Sequence, residues 1–412
     1  MLRILHTADW HLGQRLHQQP REYEHRCFLD WLLEQLRERE VDALVVAGDI
    51  FDSANPPVSA LRQFYDFVTR ARGLMPGLQM VFVGGNHDSP ARLESAAPLL
   101  KMIDVHVIGA ITQQNERLET GRLLVPLRNR DGEAELLCAA MPYLRAVDLP
   151  RIEGENLDSL VEAVRHRYDE LLGMARNRRA EGQALLATGH CYMVRGRLSE
   201  LSERRILGGN QHALPLDLFG EEIDYVALGH LHLAQKLDEH IHYSGSPLPL
   251  SLAEKDYPHQ VLQVDFDAGR LRAVESVRVP RTVEILRLPE ARPGTPEEVM
   301  SLLETLELDE SLPAERHPWL ELRVRLERPE PGLWERFAER LKGRPVRFLK
   351  LSVEQGAGQP LADDDSLPPH LEQLDPVEVF RLRYCSQYQE EVPEAIMSRF
   401  HELLQEVQEG RA

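Results

Sequence analysis

The sequence predicts an α/β protein of two packed sheets, followed by a small second αβ unit and a pair of terminal helices. Three observations predict this. Over residues 1 to about 110, apolar runs alternate with amphipathic segments, the pattern of a mostly parallel sheet with helices packed on it. From Val105 to about Pro280 strand-like runs dominate, so a second sheet is expected to pack on the first. A fresh strand–helix alternation then begins near Arg281.

Each element has its own signal. Ile4 to Ala8 is a short apolar strand. The helix expected near Glu22 to Arg39 carries Tyr23, Cys27, Phe28, Trp31, Leu32 and Leu36 on helical spacing. Strand Ala43 to Ala47 precedes a helix near Val58 to Arg72, and strand Met80 to Val83 leads to a helix near Ala91 to Met102. A helix near Leu157 to Arg176 interrupts the second set of strands, in which Leu185 to Ala187 and Tyr225 to Leu228 each run into Gly-His. Ile241 to Pro247 reads as a strand closing into a Ser-Gly-Ser-Pro turn. In the small unit, Thr295-Pro296-Glu297-Glu298 forms a capping box with proline at the first helical position. Strands Val283 to Leu288, Leu320 to Leu326 and Val346 to Val353, with a helix Leu333 to Leu341, complete a βαβαβ pattern. The expected boundaries are 1–280 for the main domain, 281–354 for the small unit, 355–374 for a linker holding Asp363-Asp364-Asp365, and 375–412 for two amphipathic helices. Those helices need an apolar surface, either on their own chain or on a partner.

Composition narrows the class. The 412 residues suffice for two or three domains, and 42% apolar residues is ordinary for a globular protein. No apolar stretch approaches the roughly 20 residues of a membrane helix, and Met1 runs into a strand without a signal-peptide pattern. Cys27, Cys138, Cys191 and Cys385 lie far apart with no CxxC pair. A disulfide stays geometrically open, but a reduced cytoplasmic protein is the expectation. The net charge of −19 argues against broad electrostatic binding to nucleic acid, unless bound cations or a basic partner supply positive charge. The basic loop at Arg195, Arg197, Arg204 and Arg205 reads equally as solvated surface or as a nucleic-acid contact.

Five polar clusters end apolar runs: Asp9-Trp10-His11, Gly48-Asp49, Gly85-Asn86-His87-Asp88, Gly189-His190 and Gly229-His230-Leu231-His232. Strand ends are where open α/β sheets build sites. A single Gly-His or Gly-Asp is an ordinary turn, whereas five such clusters together point to a centre for two metal ions. If strand geometry persists, Asp9 and His11 face one ion together. His230 and His232 do the same, or a loop splays them toward different ions. Asp49 has two oxygens to bridge cations, and Asn86 adds a neutral oxygen. Carboxylate, amide and imidazole donors suit manganese, iron or zinc. Two ions about 3.5–4 Å apart clamp a phosphate and stabilise both attacking and leaving oxygens. His17, His25, His240 and His242 read as surface or structural residues, and Asp88 as a structural hydrogen-bonding group.

This order of motifs resembles the calcineurin-like metallophosphoesterases, and most closely the nuclease subunits of SbcC–SbcD complexes, bacterial counterparts of the Mre nuclease. The resemblance extends over Ser199 to Gly209, Asp224 to His232, Tyr243 to Pro247 and Asp375 to Arg383. It implies an αββα metallophosphoesterase sandwich with a small α+β capping domain that contacts DNA. Asp9, His11, Asp49 and His232 would hold one ion; Asp49, Asn86, His190 and His230 would hold the other, with Asp49 bridging. His87 would be the general acid, or would stabilise charge on the leaving oxygen, with Asp52 orienting it. The resemblance also implies manganese, double-strand exonuclease and single-strand or hairpin endonuclease activity in DNA repair and recombination, and an SMC-type ATPase partner. In that assembly two nuclease subunits, paired through helices matching Val58 to Arg72 and Ala91 to Met102, join two ATPases, and the terminal helices grip the coiled coil. The alternative is a phosphomonoesterase or protein phosphatase of the same fold; protein phosphatases of this type carry Arg shortly after the second motif to clamp the phosphate, but Gly48 to Pro57 contains none. A non-catalytic scaffold would not need the full set of ligands and His87.

Overall fold

Strand β1, Leu2–Thr7, is buried at every residue but Arg3 because both of its faces are covered. The chain continues through α1 (Glu22–Glu38), β2 (Ala43–Ala47), α2 (Val58–Leu74), β3 (Gln79–Val83) and β4 (Val105–Ile108). Next come β5 (Leu124–Leu127), β6 (Leu136–Ala139), α3 (Leu157–Arg178), β7 (Ala184–His190), β8 (Tyr225–Gly229), β9 (Gln235–Asp238) and β10 (Ile241–Tyr243). Strands β11 (Gln260–Asp267) and β12 (Arg270–Arg278) precede the small unit of β13 (Ile285–Leu288), α4 (Pro296–Thr305), β14 (Trp319–Leu326), α5 (Leu333–Leu341) and β15 (Arg347–Gln355). This computed structural model describes residues 1–114, 117–150, 157–197, 213–328 and 330–355, with Tyr384, Met397 and Phe400 beyond them. Arg204, Arg205, the linker expected at 355–374 beyond Gln355, and most of 375–412 lie outside the described residues. Met1–Glu354 forms one compact unit and Gln355–Ala412 a second.

Two six-stranded sheets stack face to face, in the orders β12-β11-β1-β2-β3-β4 and β9-β10-β8-β7-β6-β5. Strands β1 to β4 are parallel, as are β6, β7, β8 and β10. Alternate residues of each central strand serve different layers. Ile4, Val45, Val81 and Val83 face the second sheet, while Leu5, Leu44, Val46 and Phe82 pack under α1 and α2 with Phe28, Phe64 and Phe67. Tyr168, Leu171 and Ala175 of α3 close the far side of the core. The layers are therefore αββα. Among the described residues no helix is long and apolar enough to cross a membrane.

Two expectations need correction. The strands from Val105 to Pro280 do not all form the second sheet: β4 extends the first sheet, and β11 returns to pair antiparallel with β1, followed by β12. The helix expected over Ala91 to Met102 is broken into Pro90–Leu93, a 3-10 turn at Glu94–Ala96, and Ala97–Lys101. Pro98 is the reason, because it lacks an N–H for the preceding turn and is tolerated at a helix start. The small unit forms a three-stranded sheet, β13-β14-β15, with the expected capping box at Thr295 and Glu298.

Candidate metal centre

The loops that leave β1, β2, β3 and β8, with the last residue of β7, converge at one end of both sheets. They stay paired past the strands: Asp9 N donates to Gly48 O (3.0 Å), His11 N to Asp49 O (3.0 Å) and Leu12 N to Ile50 O (2.9 Å). Trp10 anchors the first loop, fully buried and edge-on to Phe28, Phe67 and Phe82, with its indole donating to Thr7 Oγ1 (3.0 Å).

Asp9 and His11 do meet, but not by sharing a strand face. β1 ends at Thr7, and Asp9, His11, Asp49 and His230 have φ of 54°, 46°, 49° and 97°. This left-handed backbone is costly for non-glycine residues and persists where the surroundings enforce it. It turns the carboxylate and imidazole inward instead of alternating them. His230 and His232 are splayed: His230 Nδ1 lies 3.0 Å from Asn86 Oδ1, whereas His232 groups with Asp9 and His11.

Asp49 stands between the two sets. Its Oδ2 is 3.4 Å from His11 Nε2 and 3.3 Å from His190 Nε2, and its Oδ1 accepts from His87 N (2.8 Å). Asp9 groups with His11 and His232 and also with Asp49 and His190. Asn86 Oδ1 is 2.9 Å from His190 Nε2. Three rings are held through their other nitrogen, as metal-ligating histidines commonly are. His11 Nδ1 lies 3.2 Å from Asp52 Oδ1, His190 Nδ1 2.9 Å from Ala47 O, and His232 Nδ1 3.0 Å from Glu254 Oε1. Gly48, at φ 98°, gives the His190 ring its room, and a Cβ on Gly85 would overlap Asp49.

Charge is balanced within the cluster. Burial alone would raise the Asp49 pKa, but His190 and His11 outweigh it and hold the carboxyl well below its usual range. Burial alone would lower His190, but Asp49 raises it to about 9. Burial, with His190 beside it, lowers His230 to about 3. Protons on His11 and His190 thus stand against Asp49, and cations binding these atoms would displace them. The donors are carboxylate, amide and imidazole without thiolate, and His11 Nε2 is buried with no well-formed hydrogen bond, so the residues fit hard-to-borderline divalent ions.

His87 lines the same cavity as His11, Asp49, Asn86, His230 and His232. Its Nδ1 donates to the Asp52 backbone carbonyl at 2.8 Å. The main chain at Asp52 thus holds the His87 ring, one Asp52 carboxylate oxygen lies 3.2 Å from His11 Nδ1, and the Asp52 carboxylate gathers with both His11 and His87. Burial lowers the His87 pKa. Asp88 is structural, accepting from Ile50 N (3.1 Å), Phe51 N (2.9 Å) and Gly85 N (2.9 Å). Of the weaker histidines, His17 is exposed, His240 is half-buried, and His25 and His242 are buried outside the cavity. Glu254 was not singled out by the sequence. Its one local signal, Ser251-x-x-Glu254, reads as a helix start.

Residues 2–234 match the calcineurin-like phosphoesterase family, and residues 280–388 match the type 5 capsule protein repressor C-terminal domain. The chain is 38% identical to the SbcD component of the SbcCD nuclease of Rhodobacter capsulatus over 356 residues, covering 85% of this chain and 87% of that protein. It is 35% identical to the Escherichia coli SbcD (68% and 69% covered) and 34% to that of Bacillus subtilis (65% and 67%). A chain with this fold, this pairing of Asp49 with two histidine sets, and this similarity along most of its length belongs to the calcineurin-like phosphoesterases, among the SbcD components of SbcCD nucleases.

Proposed function

We propose that the chain hydrolyses DNA phosphodiester bonds at a pair of manganese ions, cutting duplex ends as an exonuclease and single strands or hairpins as an endonuclease. The observation that carries this is Asp49 Oδ2, within 3.4 Å of His11 Nε2 and 3.3 Å of His190 Nε2, in a cavity that also exposes His87. Asp9, His11, Asp49 and His232 would hold one ion, and Asp49, Asn86, His190 and His230 the other. When bound, the ions supply Lewis acidity and a charge clamp for the phosphate. The chain's own residues do the rest. Asp52 O fixes the His87 ring through Nδ1, leaving Nε2 for the cavity. Burial favours the neutral ring; a phosphodiester anion beside it favours the imidazolium, whose Nε2 proton is then available to the leaving oxygen. Asp88 ties the Ile50–Phe51 backbone to Gly85, which keeps Asp49 and Asn86 in register.

An SbcC-type ATPase as partner, two nuclease chains joined through α2 and the broken helix after β3, and helices 375–412 as the docking segment complete the proposal. The relatives' names, which describe one component of a two-component nuclease, support a partner. The relevant assay compares manganese-dependent cleavage of hairpin DNA, duplex ends and a phosphomonoester. Cleavage of both DNA substrates is expected, with His87→Ala lowering turnover about 10²–10⁴-fold while manganese binding persists. Hydrolysis of the monoester alone would overturn the reading.

A further inference from the structure

The Leu252–Glu254 turn touches both the metal centre and the small sheet. Glu254 is fully buried; one oxygen faces His232 Nδ1 at 3.0 Å and the other accepts from Leu250 N at 2.8 Å. This places the proton of the His232 ring on Nδ1 and turns Nε2 toward Asp9 and His11, the job of an outer carboxylate in a metal site. Yet the turn is a single 3-10 turn whose Ser251 side chain does not cap its backbone and reaches Glu254 Oε1 only at 3.4 Å. So short a turn does not aim a carboxylate unaided.

Glu254 O takes local support from Tyr257 N (2.9 Å) and His259 Nε2 (3.1 Å), and the rest of the hold comes from the small sheet. Leu252 packs with Val283, Ile285, Trp319 and Leu349, the last three from β13, β14 and β15. Leu252 O accepts from Arg287 Nη2 at 2.8 Å. Arg287 Nε in turn donates to Glu321 Oε2 (2.8 Å), and Glu321 Oε1 accepts from Ser352 Oγ (2.7 Å). The guanidinium is thereby fixed by β14 and β15 while it grips the turn. Lys255, the next residue, pairs with Glu290 at 2.5 Å, and its carbonyl accepts from Arg281. A shift of the turn by about 0.5 Å would carry the His232–Glu254 contact to the limit of a hydrogen bond.

We infer that the small sheet sets the metal centre through this turn, with Arg287 a positioning residue for His232. The inference rests on the proposed ligand role of His232. Calorimetry of manganese binding to the full-length, metal-free protein tests it, with His232→Ala marking which binding step belongs to that residue. Glu254→Gln is expected to weaken the same step about 10–100-fold and Arg287→Ala about 10-fold, leaving the other step unchanged. Arg287→Lys, which keeps one donor for Leu252 O, should recover most of the loss. If Arg287→Ala binds both ions like the parent, or loses both steps equally, the inference is wrong. If His232→Ala itself binds both ions normally, the ligand assignment has failed and the inference with it. Should Arg287→Ala not fold, Glu254→Gln decides: an unchanged step overturns the proposal.

Discussion

Asp88→Asn is the sharpest probe of how the site is held. Asp88 is buried and does not line the cavity. Its Oδ2 accepts from Ile50 N and Gly85 N, and its Oδ1 from Phe51 N. Asparagine keeps the volume but offers one acceptor oxygen and an amide donor. With that oxygen at the Oδ2 position, two bonds survive and the amide donor meets the Phe51 N–H; the opposite orientation loses two bonds. A hydrogen bond to a charged group contributes about 1.5–3 kcal/mol, and a stranded buried donor costs about 1–3 kcal/mol. The better orientation therefore costs ~3 kcal/mol, felt locally where the loops after β2 and β3 are joined. At about 1.4 kcal/mol per tenfold, amide exchange through local opening should accelerate about 10²-fold. Hydrogen exchange read by mass spectrometry on peptides spanning 48–52 and 84–88, in metal-free protein at pH 7, measures this. Protection within threefold of the parent would refute the reasoning, because the three bonds would then not be what ties the loops.

Two further predictions test packing and protonation. In Gly85→Ala the new methyl would overlap the backbone nitrogen and Oδ1 of Asp49; manganese affinity should fall at least about tenfold with the circular dichroism spectrum retained, and unaltered binding isotherms would show that the loop has slack. His25 is fully buried, neither ring nitrogen has a partner among the described residues, and burial lowers its pKa from 6.5 to about 3. Above pH 6.5 it binds no proton in either state; as pH falls from 6.5 toward 3, the unfolded chain takes a proton that the fold refuses, so stability drains away. His25→Leu should flatten part of that decline, leaving the share of His6, which burial likewise lowers to about 3. Melting temperatures at pH 7.5 and 5 that drop equally in variant and parent would count against it.

The central strands were legible because they are covered on both faces, which makes them continuous apolar runs. The site residues were legible because each such run stops at a polar cluster. The return of β11 and β12 to the first sheet was not, since a strand's apolar pattern says nothing about its neighbour, and the pairing Leu2 with Phe266 spans most of the domain. The positive φ at Asp9, His11, Asp49 and His230 was hidden for another reason: Asp and His adopt it more readily than most residues but still rarely, and the surrounding hydrogen bonds decide where. Glu254 escaped because its partner His232 is 22 residues away and its own neighbours suggest a cap. The hydrogen bond from His87 to the Asp52 carbonyl was not legible, because a main-chain acceptor is one that any residue would supply.

The position of β1 has a consequence for synthesis. It pairs with β2 on one side and β11 on the other. The second partner emerges from the ribosome roughly 200 residues after the first, which at about 5–20 residues per second is ~10–40 s. For that interval the nascent chain carries an apolar strand with one open edge, a template for pairing with the wrong neighbour. The open edge of β1 is covered only when residues up to Asp267 are available. A fragment ending before Gln260 would retain every proposed ligand and still lack the two strands that complete this sheet.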